Sequence, residues 1–182
     1  MYFLVAVFSF GLYAAADGAV VPKCDPEAKD QVAWEMIKAL TKDFFYLFET
    51  TNNQTQNCTF FAVNETDEKN HTGTLRAGIG MNTSATAVAL DEKGFPMMLE
   101  EGCYRVLYTD NSTCGVVASP GDKEIFLWVA QKTAVQISFH HCCGKVFQSA
   151  VKKKLELEQS CGSPEETKTY RRFFDYCLGP SC

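Results

Sequence analysis

Between Cys103 and Cys143 the chain reads CYRVLYTDNSTCGVVASPGDKEIFLWVAQKTAVQISFHHCC. Three apolar runs of strand length, CYRVLY, CGVVA and IFLWVA, are separated by the turn clusters Thr109-Asp110-Asn111-Ser112 and Ser119-Pro120-Gly121-Asp122. Apolar runs bounded by Asp, Asn, Ser, Pro and Gly read as an antiparallel meander. The stretch ends in two adjacent cysteines, Cys142 and Cys143. Successive side chains on an extended chain point to opposite faces, so this pair predicts bridges to two different partners. The stretch therefore reads as the second half of a closed β-barrel, pinned to distant parts of the chain.

The first half supplies the remaining strands. Asp25-Pro26-Glu27 is a helix-start signal, and Ala28, Val32, Ala33, Met36, Ile37 and Leu40 follow at helical spacing, which predicts a short helix over one end or the side of the barrel. Asp43 to Phe48 is aromatic on both faces, so it suits a strand covered by the barrel interior and by a helix. Cys58–Val63, Thr74–Met81, Ala85–Leu90 and Phe95–Leu99 read as strands two to five. In strand three Leu75, Ala77, Ile79 and Met81 share one face. Asn64–Asn70 reads as a hydrophilic surface loop, and Pro96 places strand five at an end or edge. Eight antiparallel strands close into a barrel wide enough for one small ligand. After Cys143 the period changes: Val146, Phe147, Ala150, Val151 and Leu155 fit a helix face. Ser163-Pro164-Glu165-Glu166 starts a second helix packed through Tyr170, Phe173 and Phe174. The expected fold is mainly β, an eight-stranded antiparallel barrel with a short N-terminal helix and C-terminal helices.

Tyr2–Ala16 carries no charge and ends in Ala14-Ala15-Ala16. It predicts a secretory signal over residues 1–16, cleaved near Ala16 or Ala19, before a single domain over 17–182; the alternative is a buried N-terminal helix. Nine cysteines imply a disulfide framework and a secreted, extracellular location. Sequons at Asn53, Asn64, Asn70, Asn82 and Asn111 are the candidate glycosylation sites. A sixth, at Asn57, is a poor acceptor if Cys58 is bridged early. The net charge of −5 and the mixed run Lys152–Glu158 give no nucleic-acid footprint, and no later segment reaches membrane-spanning length. No nucleophile elbow, phosphate loop or dinucleotide fingerprint is present, so no enzyme or cofactor is implied. His140-His141-Cys142-Cys143 superficially looks like a metal cluster, but structural zinc sites want spaced cysteine pairs, and disulfides are the stronger reading.

The order of these pieces resembles the salivary lipocalins of ticks, the tick histamine-binding protein family. The carriers are Ala33-Trp34 leading into Phe44-Phe45-Tyr46-Leu47, then Cys58, Val106-Leu107-Tyr108-Thr109-Asp110 before Cys114, Leu127-Trp128-Val129, and the Cys142-Cys143 pair. The adjacent cysteines are most similar to the soft-tick branch that includes moubatin and a complement inhibitor. The resemblance implies the bridges Cys24–Cys142, Cys58–Cys177 and Cys114–Cys143. Of the remaining cysteines, Cys161–Cys182 would clip the tail; a monomer is then expected unless Cys103 pairs between molecules. It also implies a binder that sequesters a small host inflammatory or haemostatic mediator.

Amine-binding members carry Cys-Asp-Val and Glu-Leu-Trp, where this chain has Cys114-Gly115-Val116 and Phe126-Leu127-Trp128. Both acidic positions are lost, and a buried ammonium is costly without a carboxylate; Glu49, Asp91 or Glu100 could substitute. The expected barrel interior is Phe45, Leu47, Leu75, Ile79, Met81, Val88, Tyr104, Val106, Tyr108, Phe126 and Trp128, an apolar face with phenols and no carboxylate. That face leans toward an apolar mediator such as a leukotriene or thromboxane, unless the side chains simply fill the barrel. The alternative partner is a host plasma protein, such as a complement or haemostatic factor, held by the loops.

Overall fold

The structure, a computed structural model, describes residues 24, 26–27, 31–52, 54–56, 58–90, 97–99, 102–134, 142–160 and 171–172. The signal segment, Asn53, Asn57, Asp91, Glu100, His140, His141, Cys161, Cys177 and Cys182 lie outside them. The elements run α1 (Ala33–Leu40), β1 (Phe45–Thr50), β2 (Thr59–Asp67), β3 (Thr72–Ile79), β4 (Asn82–Ala89), β5 (Met97–Leu99), β6 (Gly102–Thr109), β7 (Cys114–Ala118), β8 (Ile125–Ala130), α2 (Cys142–Ser160) and β9 (Arg171–Arg172). All strand pairs described are antiparallel, each of β2 to β7 pairing with the next, and β8 pairing with β1. Phe45 and Tyr46 of β1 then pair with Phe61 and Phe60 of β2, so the sheet curls back on itself. Farther along, Glu49 and Thr50 of β1 pair with Arg172 and Arg171 of β9 instead.

Strand β1 shows why the curl is stable. Phe45 and Leu47 point inward with Trp34, Ile37, Leu75, Val106 and Trp128, while Phe48 packs outward with Val116, Leu127, Phe147 and Val151. One strand thus joins an interior core and a second core beneath α2, as its two apolar faces require. Helix α1 has no side-chain N-cap. Burial of Ala33, Trp34, Met36, Ile37, Ala39 and Leu40 holds this short helix in place. It begins later than expected, because these apolar residues all fall between 33 and 40; Pro26 and Glu27 are not helical.

Several boundaries differ from the sequence reading. β2 continues through Asn64–Asp67, all exposed, pairing with Thr72–Thr74 past a register shift between Val63 and Glu65. The expected loop is a tight turn in which the Asp67 carboxylate accepts from the amides of Lys69 and Asn70. Polarity marked a loop, yet a strand that is solvated on both faces is polar as well. β3 stops at Ile79, and Gly80, at φ +58, opens a two-residue hairpin into Asn82. Cys142 and Cys143 open α2 and are not on an extended segment. Neighbours on a helix diverge by roughly 100°, which still directs the two sulfurs to different partners: Cys24 bonds Cys142, and Cys114 bonds Cys143. Arg171–Arg172, inside the expected tail helix, is a strand. The β1 edge left beyond the β2 pairing offers it hydrogen-bonding groups.

Candidate ligand-binding cavity

Helix α1 stands at the end of the curl where the β2–β3 turn lies, with Trp34 against His71 at a ring-centroid distance of 5.1 Å. Trp34, Val63, Val88 and Leu90 are buried together at this end. Above it a cavity of about 490 Å³ opens toward the β1–β2 and β7–β8 loops. Met36 and Leu40 form its floor; Leu47, Leu75, Ala77, Val117, Phe126 and Trp128 form apolar wall. Thr59, Ser84 and Thr86 add hydroxyls, Tyr104 a phenol, and Asn52, Thr55 and Glu124 the polar rim. Phe61 lies 4.1 Å from Trp128 between ring centroids, and Phe126 lies 6.3 Å from it. The wall can therefore pack a flat aromatic body.

Glu124 is the one carboxylate in this lining, which holds no lysine, arginine or histidine among the described residues. Its backbone is fixed from both sides. The Glu124 amide donates to Ser119 Oγ at 2.9 Å, and the Ser119 amide donates to the Glu124 carbonyl at 2.9 Å. The next residue, Ile125, donates its amide to Thr51 Oγ1 at 2.9 Å and accepts from the Thr51 amide at 3.0 Å. The half-buried Glu124 side chain is thus carried at the rim, two residues before Phe126 and on its side of the strand.

At the floor, one glycine faces a methionine. Gly115 pairs with Trp128 across β7 and β8. A Cβ at Gly115 would stand 2.8 Å from both Sδ and Cε of Met36. The Met36 thioether occupies the space that a side chain at Gly115 would need.

Residues 96–177 match the model of the family described as tick histamine binding protein. The serotonin complex of AM182 superposes with a TM-score of 0.62 at 18% identity, covering 87% of this chain and 99% of that one. The chain has a lipocalin-type fold and is similar to the tick histamine-binding proteins over residues 96–177. Fainter likenesses, which carry no argument, include insecticyanin from the tobacco hornworm Manduca sexta (TM-score 0.44, 11% identity, 81% and 84% covered) and a bovine odorant-binding protein mutant (TM-score 0.42, 13% identity, 78% and 99% covered).

The fold brings together five of the expected interior residues, Leu47, Leu75, Tyr104, Phe126 and Trp128, around the cavity. Phe45, Val88 and Val106 are buried in the packed interior core and are not in the cavity lining. Three residues depart. Ile79 is 39% exposed and Met81 96% exposed, because β3 ends before the hairpin and Met81 sits in its turn. Tyr108 packs with the core under α2: a register shift between Val106 and Tyr108 reverses the alternation of β6. The same device acts on β1, where a shift between Leu47 and Glu49 pairs Glu49 with Leu127 on the outer face, so this buried acid is not a cavity group. The expectation of an inner face without a carboxylate is corrected by Glu124. Alternation from Trp128 back through Phe126 contained that signal, but Glu124 reads as part of a turn. Phe61, Met36 and Leu40 were also missed. Their faces depend on strand pairing and helix placement that no local pattern specifies.

Cys142 and Cys143 are both in disulfides, which leaves no adjacent thiol pair for a metal. Among the described residues no group of three His, Cys, Asp or Glu could hold one. Cys58, just before β2, lies half-buried at φ +59; its expected partner Cys177 is outside the described residues. No helix of the described residues is long and apolar enough to cross a membrane.

Proposed function

We propose that this lipocalin is a secreted binder that sequesters a small host mediator in its barrel, and that the mediator is an amine carrying an aromatic ring. The observation that carries the reading is Glu124, the one carboxylate among the described residues of a lining otherwise made of aromatic, aliphatic, hydroxyl and amide groups. An ammonium needs a carboxylate when it leaves water, and the ring of such a ligand suits the Phe61, Phe126 and Trp128 wall. The volume supports a small guest, since ligand cavities run from about 300 to 1,000 Å³. Serotonin, the ligand in the AM182 complex, has this chemistry. The lipocalin fold and the family support binding in place of catalysis. Two disulfides support an oxidising compartment.

A second reading, an apolar mediator such as a leukotriene or thromboxane, is favoured by the loss of both motif acids to Gly115 and Phe126. Among the described residues the lining has no cation to meet a fatty-acid carboxylate, and Glu124 would repel one. Calorimetry of the secreted protein against serotonin, histamine, a leukotriene and a thromboxane analogue separates the two. The amine reading expects heat with serotonin or histamine and none with the acids; the reverse pattern sinks it.

A further inference from the structure

We infer that the Arg105–Asp122 ion pair is the latch that holds Glu124 at the cavity mouth, making two residues outside the cavity determinants of its charge preference. The inference rests on the amine reading above. Arg105 projects from the outer side of β6, and its Nη2 meets Asp122 Oδ2 at 2.6 Å. Asp122 belongs to the four-residue loop that Ser119 and Glu124 close by their backbone hydrogen bonds. That loop holds two consecutive left-handed residues, Gly121 at φ +71 and Asp122 at φ +54. Glycine takes this region freely, but aspartate does so only against a cost. The Arg105 contact and the bond from the Asp122 amide to the Ser119 carbonyl, 2.9 Å, offset that cost.

A second contact points the same way. Gly102, at φ +129, has no Cβ, and one placed there would stand 2.7 Å from Pro120 Cγ. The proline ring is seated directly on the start of β6. The loop is thus held to one strand at both its entry, through Pro120, and its exit side, through Asp122. Neither Arg105 nor Asp122 lines the cavity. Without the latch, Asp122 relaxes from its left-handed state and the Ser119–Glu124 closure loosens, so the carboxylate loses its fixed place.

The sign of the effect separates a latch from a bystander. Removing a positive charge beside the mouth would by simple Coulomb action strengthen cation binding; losing the latch weakens it. The pair is more than half exposed, at 58% and 55%, so the expected change is modest, about two- to fivefold. The test compares wild type, Arg105→Ala, Arg105→Lys and Glu124→Gln by titration with serotonin and with neutral 5-hydroxyindole, and by amide hydrogen exchange at Glu124. Arg105→Ala should bind serotonin two- to fivefold more weakly, keep its 5-hydroxyindole affinity and exchange the Glu124 amide faster, while Arg105→Lys stays near wild type. Unchanged or tighter serotonin binding, equal loss of both ligands, or unaltered exchange in Arg105→Ala overturns the latch. If Glu124→Gln leaves serotonin binding intact, the amine reading falls and the latch's role with it; a weakened Glu124→Gln beside an unaffected Arg105→Ala removes the latch alone.

Discussion

Gly115 and Met36 show how one side chain decides what a barrel can hold. Because a Cβ at Gly115 meets the flexible end of Met36 at 2.8 Å, Gly115→Asp should displace that side chain and destabilise the protein by about 1 kcal/mol, with an added penalty for a buried charge. Gly115→Asp combined with Met36→Ala should recover part of that loss, measured by urea denaturation. No recovery would mean that Met36 is not the obstacle. Asp110 makes a different residue-scale argument. Burial acts to raise its pKa, but hydrogen bonds from Thr113, Ser112 and Cys114 outweigh burial and hold the carboxyl below its ordinary value. Its stabilisation is therefore complete above the unfolded carboxylate value, about 3.9, and disappears as pH falls through the lower folded value. Asp110→Asn should cost stability at neutral pH, and the gap to wild type should narrow as the pH drops below about 4. A gap that does not depend on pH would show that the charge is irrelevant there.

At the scale of elements, α2 is fastened at its first two residues, to the segment before α1 and to β7. The Cys114–Cys143 bond closes a separation of 29 residues and Cys24–Cys142 one of 118. In the chain-entropy model these stabilise by roughly 3–4 and 5 kcal/mol. The paired change Cys114→Ser with Cys143→Ser should therefore lower the unfolding free energy by about 3 kcal/mol, and non-reducing peptide maps should join Cys142 and Cys143 to separate peptides. A vicinal Cys142–Cys143 bond would contradict this packing. Strands such as β3, β7 and β8 were legible because alternation and turn residues are local signals. The reversals at Leu47/Glu49 and Val106/Tyr108 were not, since a bulge arises from pairing with a neighbour, and they are what misplaced Tyr108. The two-residue turn at Gly80 was visible as a glycine yet ambiguous between a twist within one strand and a hairpin between two, and that ambiguity misplaced Ile79 and Met81. The resemblance supplied the cysteine partners, whereas the geometry assumed for the adjacent pair was an extended chain and proved helical.

For the molecule as a whole, buried apolar side chains gather at the β2–β3 turn end and the cavity opens at the other, which sequence could pose only as alternatives because total volume depends on how far α1 enters. The exposed positions of Asn64, Asn70, Asn82 and Asn111 leave each sequon open to modification. Protein secreted from eukaryotic cells should carry glycans at these sites, read as mass shifts on glycosidase treatment; four unmodified asparagines would contradict the secretory reading. The central claim, that Glu124 makes the hollow end a site for an aromatic amine, is tested most directly by calorimetric titration of serotonin into wild type and Glu124→Gln. Loss of a charge-assisted contact of about 1.5 kcal/mol predicts a drop in affinity of roughly tenfold, with Trp128 fluorescence responding to the ligand in both proteins. Equal affinity in the two proteins, or no binding by wild type, would contradict the account.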